Sequence, residues 1–244
     1  MSVRTHPGIT GVYGSAATGL SGDTSWAANA TVARIGADGE RRTETVLNQH
    51  ADRIAVLHDL RVPIRGGRAN IDHVLVAGNR VYLLDSKVWK PGFYWTLAGV
   101  NRRGTTRVDH TAKDMTWVRD AFVKHLAGTG ATVIGPRLVI WSSSTRANPT
   151  LWALRLNGAS RLAGTALPSA AARIAGTAGR TGADPAIVHR LSTLLVRPTP
   201  VPLPVAAGAE HLSTRPLARP TARTGPGLRA VPTTVDPLED DPFA

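Results

Sequence analysis

Two aspartates flank the turn of an apolar stretch, residues 70–87, which reads NIDHVLVAGNRVYLLDSK. Gly78-Asn79 at its centre favours a two-residue turn, so the stretch is predicted to form a β-hairpin. The resulting register places Asp72 directly opposite Asp85, with Lys87 two residues further along the same face. Facing carboxylates repel each other and are costly to bury, so they need compensating positive charge. Lys87 supplies one such charge, and a divalent cation would supply the rest.

These residue types suit the hydrolysis of a phosphodiester bond. Asp72 and Asp85 offer the hard oxygen ligands that Mg²⁺ prefers, and Mn²⁺ accepts the same ligands. Glu40 would complete the site directly or through a water molecule. Lys87 would orient or deprotonate the attacking water and stabilise negative charge on the phosphate. Lysine is apt here because its pKa shifts when buried, and the chain has only 4 Lys beside 25 Arg.

The surrounding pattern predicts an α/β fold with a mixed central sheet flanked by helices. The hairpin strands are apolar on both faces, as in the middle of a covered sheet, with Val74, Val76, Val81 and Leu83 on one face and Ile71, Leu75, Tyr82 and Leu84 on the other. A helix is predicted from a cap at Asp38 to about Ala51, with Glu40 favoured in its first turn by the helix dipole. The other predicted elements are strands at 53–62, 132–142 and 151–157 and helices at 110–126, 168–176 and 184–196.

Composition divides the chain into three parts. Residues 1–34 form a loosely ordered arm rich in Gly, Ala and Ser, residues 35–197 the folded domain, and residues 198–244 a Pro-rich tail predicted to be disordered. The arm and the tail are candidate attachment points for a protein partner. The chain has no apolar run of membrane-spanning length, no signal-peptide pattern and no cysteine, so we expect a cytoplasmic protein without a membrane partner.

The folded part of the chain is strongly basic. The net charge is +12, and residues 198–244 net −1 from four Arg and five acidic residues, which leaves +13 on residues 1–197. This charge indicates a polyanionic partner, most simply nucleic acid. The alternative is an Arg-rich composition that accompanies abundant Ala, Gly and Thr, with the arginines simply solvated. The candidate phosphate contacts from loops are Arg65, Arg68, Arg102, Arg103 and Arg107.

The order of these residues resembles the core of the PD-(D/E)xK nucleases and, more closely, the nuclease-related domain (NERD) family. Its pattern is Gly-Glu at a helix start, an Ile-Asp-His strand, and an acidic-x-Lys strand followed by an aromatic residue and a glycine. The matching residues are Gly39-Glu40, Ile71-Asp72-His73, Asp85-Ser86-Lys87, Trp89 and Gly92. The resemblance covers roughly residues 36–160 and implies Mg²⁺-dependent cleavage of DNA, with RNA as the second choice. The glutamine-containing turn that the family often has finds no counterpart in RVDHTAKDM.

Each candidate also has a purely structural explanation. Asp85 and Lys87 could form a plain ion pair, and Glu40 could be only a helix-start charge. His73 faces away from the carboxylates and suits a hydrogen-bonded structural role. The rival to an enzyme is a non-catalytic NERD-like module that binds nucleic acid or docks within a larger assembly. Three aromatic residues either stack on bases or pack in the core: Trp89, Tyr94 and Trp95.

Overall fold

The computed structural model describes residues 8–17, 30–109, 114–179 and 181–197. Ten strands lie in these residues: β1 (Gly11–Tyr13), β2 (Ala55–Arg61), β3 (Asn70–Ala77), β4 (Arg80–Trp89), β5 (Gly92–Leu97), β6 (Val100–Arg103), β7 (Thr106–Arg107), β8 (Thr132–Ser142), β9 (Pro149–Ala153) and β10 (Ser160–Ala163). Four α-helices accompany them: α1 (Ala30–Asn48), α2 (Thr116–His125), α3 (Leu167–Thr177) and α4 (Pro185–Ser192).

The strands form two sheets. The larger has six strands in the order β1-β2-β3-β4-β8-β10, and the smaller has four in the order β7-β6-β5-β9. Strands β2, β3 and β4 are antiparallel, whereas β1, β8 and β10 each pair in parallel with a neighbour. The hairpin therefore occupies the middle of a mixed sheet, where both of its edges are paired.

Apolar side chains cover both faces of the larger sheet. On one face, α1 and α3 pack over the cluster that contains Leu75, Tyr82 and Leu84. On the other, α2 and α4 pack over the cluster that contains Val74, Val76, Val81 and Leu83. This arrangement confirms the predicted mixed sheet flanked by helices, because strands that are apolar on both faces need cover on both.

The predicted start of the first helix was wrong. Helix α1 begins at Ala30, so Asp38 is not its cap and Glu40 does not lie in its first turn. The side chain of Asp38 instead pairs with Arg41 at 3.2 Å. Ala33 and Ala37, four residues apart, are both buried, and this packing extends the helix toward the N-terminus.

Helices α2 and α4 are shorter than predicted, whereas α3 covers the whole of the predicted 168–176. Within the described residues α2 begins at Thr116, while 110–113 lie outside them. Helix α4 is capped by Asp184, whose carboxylate accepts the N–H of Ala186 at 2.8 Å, and it ends at Ser192. The chain then turns back, and Leu195 pairs with β2 instead of continuing the helix. No helix in the described part of the chain is long and apolar enough to span a bilayer.

One hairpin residue lies on the opposite face from the one predicted. Ile71 packs with the cluster of Val74 and Val76 and not with Leu75. The adjacent strand β2 is irregular at this level, because Asp59 adopts a left-handed φ of 56°. The alternation of side chains therefore breaks beside Asp72.

Candidate active site

The β3–β4 hairpin has the predicted register. The pairing runs from Ala77 opposite Arg80 to His73 opposite Leu84, around Gly78 with its φ of 59°. The next pair in this register would be Asp72 and Asp85. Instead of a further backbone pair, Asp72 Oδ2 accepts the backbone N–H of Ser86 at 2.6 Å. The ladder therefore ends just before the position where the register would pair the two aspartates.

Asp85 and Lys87 form an ion pair beside this ladder end. The Asp85 side chain is only 10% exposed, whereas that of Lys87 is 44% exposed. Lys87 Nζ also donates to the carbonyl oxygen of Ser86 at 3.1 Å. A buried carboxylate is thus paired with an ammonium group that still reaches solvent.

Gly39 brings Glu40 to the hairpin. A Cβ added at Gly39 would lie only 2.5 Å from Val88 Cγ2, so the glycine allows α1 to approach β4 closely. Glu40 follows directly in the chain, and its Oε2 accepts the backbone N–H of Ala17 at 2.9 Å. This close packing explains why a glycine directly precedes Glu40 in the helix.

The pKa of Glu40 is raised from its ordinary 4.5 to about 7. Burial is the main cause, and the charges of Asp59 and Asp85 act in the same direction. The N–H of Ala17 and the charge of Lys87 oppose the rise. Glu40 therefore interacts electrostatically with the hairpin charges although it belongs to a different element.

The pKa of Asp72 is also raised well above its ordinary value. Burial contributes most, followed by the charge of Asp85, while Lys87 partly opposes both. Burial lowers the pKa of Lys87, but the charges of Asp85, Asp72 and Glu40 outweigh it and raise the pKa overall. The structure thus brings the four predicted residues into one electrostatic cluster, in which one ammonium faces three carboxylates.

Asp59 is a buried carboxylate that the sequence interpretation missed. Its neighbours in β2 pair with the residues on either side of Asp72, so Asp59 stands across from Asp72. Asn70 Nδ2 donates to its Oδ1 at 2.9 Å, and its charge raises the pKa of Glu40. An aspartate within a mostly apolar strand was the signal that could have pointed to it.

A buried chain of polar side chains lies beneath the cluster. The Nδ1 atoms of His58 and His73 are 2.8 Å apart, and His73 Nε2 lies 3.1 Å from Ser86 Oγ. Ser86 Oγ in turn donates to Thr43 Oγ1 of α1 at 2.7 Å. His73 therefore has hydrogen-bond partners of the kind expected for a structural residue. Because Ser86 also contacts Asp72, this series of hydrogen bonds links the carboxylates to α1.

The predicted arginine contacts lie on two separate elements. Arg65 and Arg68 are exposed in the loop between β2 and β3. Arg102, Arg103 and Arg107 belong to the smaller sheet, where Arg107 pairs with Asp109 at 2.5 Å. Of the three aromatic candidates, Trp89 and Tyr94 are buried in a core cluster, and only Trp95 remains partly exposed.

The donor set fits a hard divalent cation held by few protein ligands. Across the described ranges, no three His, Asp or Glu side chains converge as a complete metal-ligand set. Mg²⁺ keeps several waters and binds through one or two carboxylates, so Asp72 and Asp85 would be enough as direct ligands. When Asp72, Asp85 and Glu40 are all ionised, their negative charge exceeds the positive charge of Lys87, a condition that a bound cation would relieve.

The mixed sheet and its acidic, lysine-containing hairpin are consistent with a nuclease-like core. The family profile described as the nuclease-related domain, NERD, matches residues 35–131. This match confirms the resemblance to the NERD family over the segment that contains Glu40, Asp72, Asp85 and Lys87. No curated protein and no solved structure matches the chain.

Proposed function

We propose that this chain is a metal-dependent nuclease that hydrolyses phosphodiester bonds of DNA, with RNA as the less favoured substrate. The observation that carries the proposal is the placement of two acidic side chains at the end of the β3–β4 ladder, where Asp72 accepts the N–H of Ser86 and Asp85 pairs with Lys87. Such a cluster lowers the stability of the metal-free fold, a cost that functional sites commonly bear. A module that only binds nucleic acid gains nothing from carboxylates that repel phosphate.

Each residue has a role that follows from its surroundings. Asp72 and Asp85 would hold Mg²⁺ or Mn²⁺, and Glu40 would reach the cation through a water molecule. The bound cation would supply Lewis-acid stabilisation of the phosphate and a more acidic water. Lys87 donates to Asp85 and to the carbonyl oxygen of Ser86, which leaves a third N–H for a phosphate oxygen.

A cleavage assay tests this proposal. Plasmid and linear single-stranded DNA are incubated with the protein in Mg²⁺, Mn²⁺ or EDTA. We expect cleavage that requires a metal and that falls by roughly a hundredfold or more in Asp85→Asn and Lys87→Ala. Equal DNA loss in EDTA and in Mg²⁺ would contradict the proposal.

Glu44 provides a matched control on the same helix. Its Oε1 accepts the N–H of Ala16 at 3.1 Å, just as Glu40 accepts that of Ala17. Glu44 contributes no charge effect to the pKa values of Asp72 or Lys87. Glu40→Gln should therefore impair cleavage and Glu44→Gln should not, whereas equal losses would indicate that both glutamates only anchor the segment before α1.

A further inference from the structure

The smaller sheet has one covered face and one exposed face. Tyr94 points to the covered side and is buried with Leu138, Ile140 and Leu151. Its alternate neighbours in β5 point the other way. The side chains that form this exposed face, here called the aromatic face, are Phe93, Trp95, Leu97, Arg102, Arg107 and Trp152.

Large apolar side chains are unusually accessible on the aromatic face. Trp152 is 73% exposed and Phe93 is 40% exposed, and their ring centroids are 5.6 Å apart. The indole of Trp95 is held by a hydrogen bond from its Nε1 to the carbonyl oxygen of Gly104 at 2.8 Å. Exposed rings on a rigid sheet lose little entropy when a flat ligand stacks on them.

The charges on this face are cationic. Arg102 lies opposite Trp95 in the β5–β6 pair and opposite Arg107 in the β6–β7 pair, so the three form one row across the sheet. The guanidinium of Arg102 lies 6.0 Å from the centre of the Trp95 ring. Asp109 pairs with Arg107 and is the acidic group at the end of this row. Rings beside guanidinium groups complement bases attached to phosphates.

We infer that the aromatic face binds a single strand of nucleic acid, with bases stacked on Phe93, Trp95 and Trp152 and phosphates on Arg102 and Arg107. Bases in a duplex are stacked on each other, so their flat surfaces are open to protein rings only in a single strand. The inference rests on the proposed function and names the form of its substrate.

The aromatic face adjoins the candidate active site along the chain. Lys87 lies in β4 and Phe93 in β5, six residues further on, which limits their separation to roughly 20 Å. A few nucleotides of a strand stacked on the aromatic face would span this separation. Binding and cleavage would then use adjacent parts of one strand.

A binding assay in EDTA tests the inference without cleavage. The probes are a labelled oligothymidylate of about 16 nucleotides, a length that covers one such site, and a duplex of equal length, followed by fluorescence anisotropy. Trp152→Ala should weaken single-strand binding by roughly 5- to 100-fold. Trp152→Phe should retain most of it, and duplex binding should stay within about twofold of the parent.

Trp117→Ala is the matched control, because Trp117 is 41% exposed but lies on α2. It should bind the single strand like the parent. If Trp152→Ala and Phe93→Ala also bind like the parent, the inference is overturned even when the parent cleaves DNA. If these variants lose binding but the parent cleaves nothing in Mg²⁺ or Mn²⁺, the inference stands and the proposed nuclease function fails.

Discussion

Two glycines in helix α1 should respond in opposite ways to the same substitution. A Cβ added at Gly36 would have no heavy atom within 4 Å, whereas one added at Gly39 would lie 2.5 Å from Val88 Cγ2. Both positions lie inside the helix, so replacement by alanine brings the same gain in helix propensity. The comparison of the two variants therefore isolates the contact between α1 and β4.

The magnitudes follow from these surroundings. Gly36→Ala should raise the free energy of unfolding by roughly 0.5–1 kcal/mol. Gly39→Ala gains the same amount but also incurs an overpacking cost of about 1–3 kcal/mol. It should therefore be less stable than Gly36→Ala by about 1–3 kcal/mol. Because the helix must shift to relieve the clash, Glu40 moves with it, and cleavage should fall by roughly 10- to 100-fold.

Urea denaturation of the parent and both variants measures their free energies of unfolding, and plasmid cleavage measures the activity of the site. Val88→Ala removes the clashing methyl groups, so the double variant Gly39→Ala/Val88→Ala should recover part of both losses in a double-mutant cycle. The reasoning is refuted if Gly39→Ala is as stable as Gly36→Ala and cleaves DNA at the parental rate.

Three further predictions concern the charges of the site. In EDTA, at a pH where Asp72 is ionised, Asp72→Asn should raise the free energy of unfolding by ~0.5–2 kcal/mol and with it the melting temperature, because it removes repulsion from Asp85 and keeps an oxygen for Ser86; calorimetry that finds a lower melting temperature contradicts this. The raised pKa of Glu40 means that the folded state binds a proton more tightly than the unfolded state, so stability in EDTA should fall between pH 4.5 and about 7. Glu40→Gln should flatten that fall, by roughly 1–3 kcal/mol, in denaturation curves compared across pH. Burial lowers the pKa of His58 to about 4, so neutral His58 stabilises the folded state above pH 6.5, and this stabilisation is lost as the pH falls from 6.5 toward 4. An NMR titration that shows His58 protonating near pH 6.5 would disprove its buried neutral state.

The hairpin could be predicted because its signals are local. Gly78-Asn79 specifies the turn, the turn sets the register, and the register places Asp72 and Asp85 next after its last pair, His73 and Leu84. The covered mixed sheet followed from strands that are apolar on both faces. The start of α1 was mispredicted because a capping signal at Asp38 competes with buried alanines earlier in the helix, and packing outweighs a local cap.

The sequence by itself determined the hairpin, its register and the presence of a helix that carries Glu40. Only the tertiary structure decided how these parts meet, since contacts between distant residues leave no local pattern. The approach of Gly39 to Val88 and the position of Asp59 across from Asp72 both depend on how elements pack. The pKa values of the site depend on the same packing, because burial and the distances between charges exist only in the folded chain.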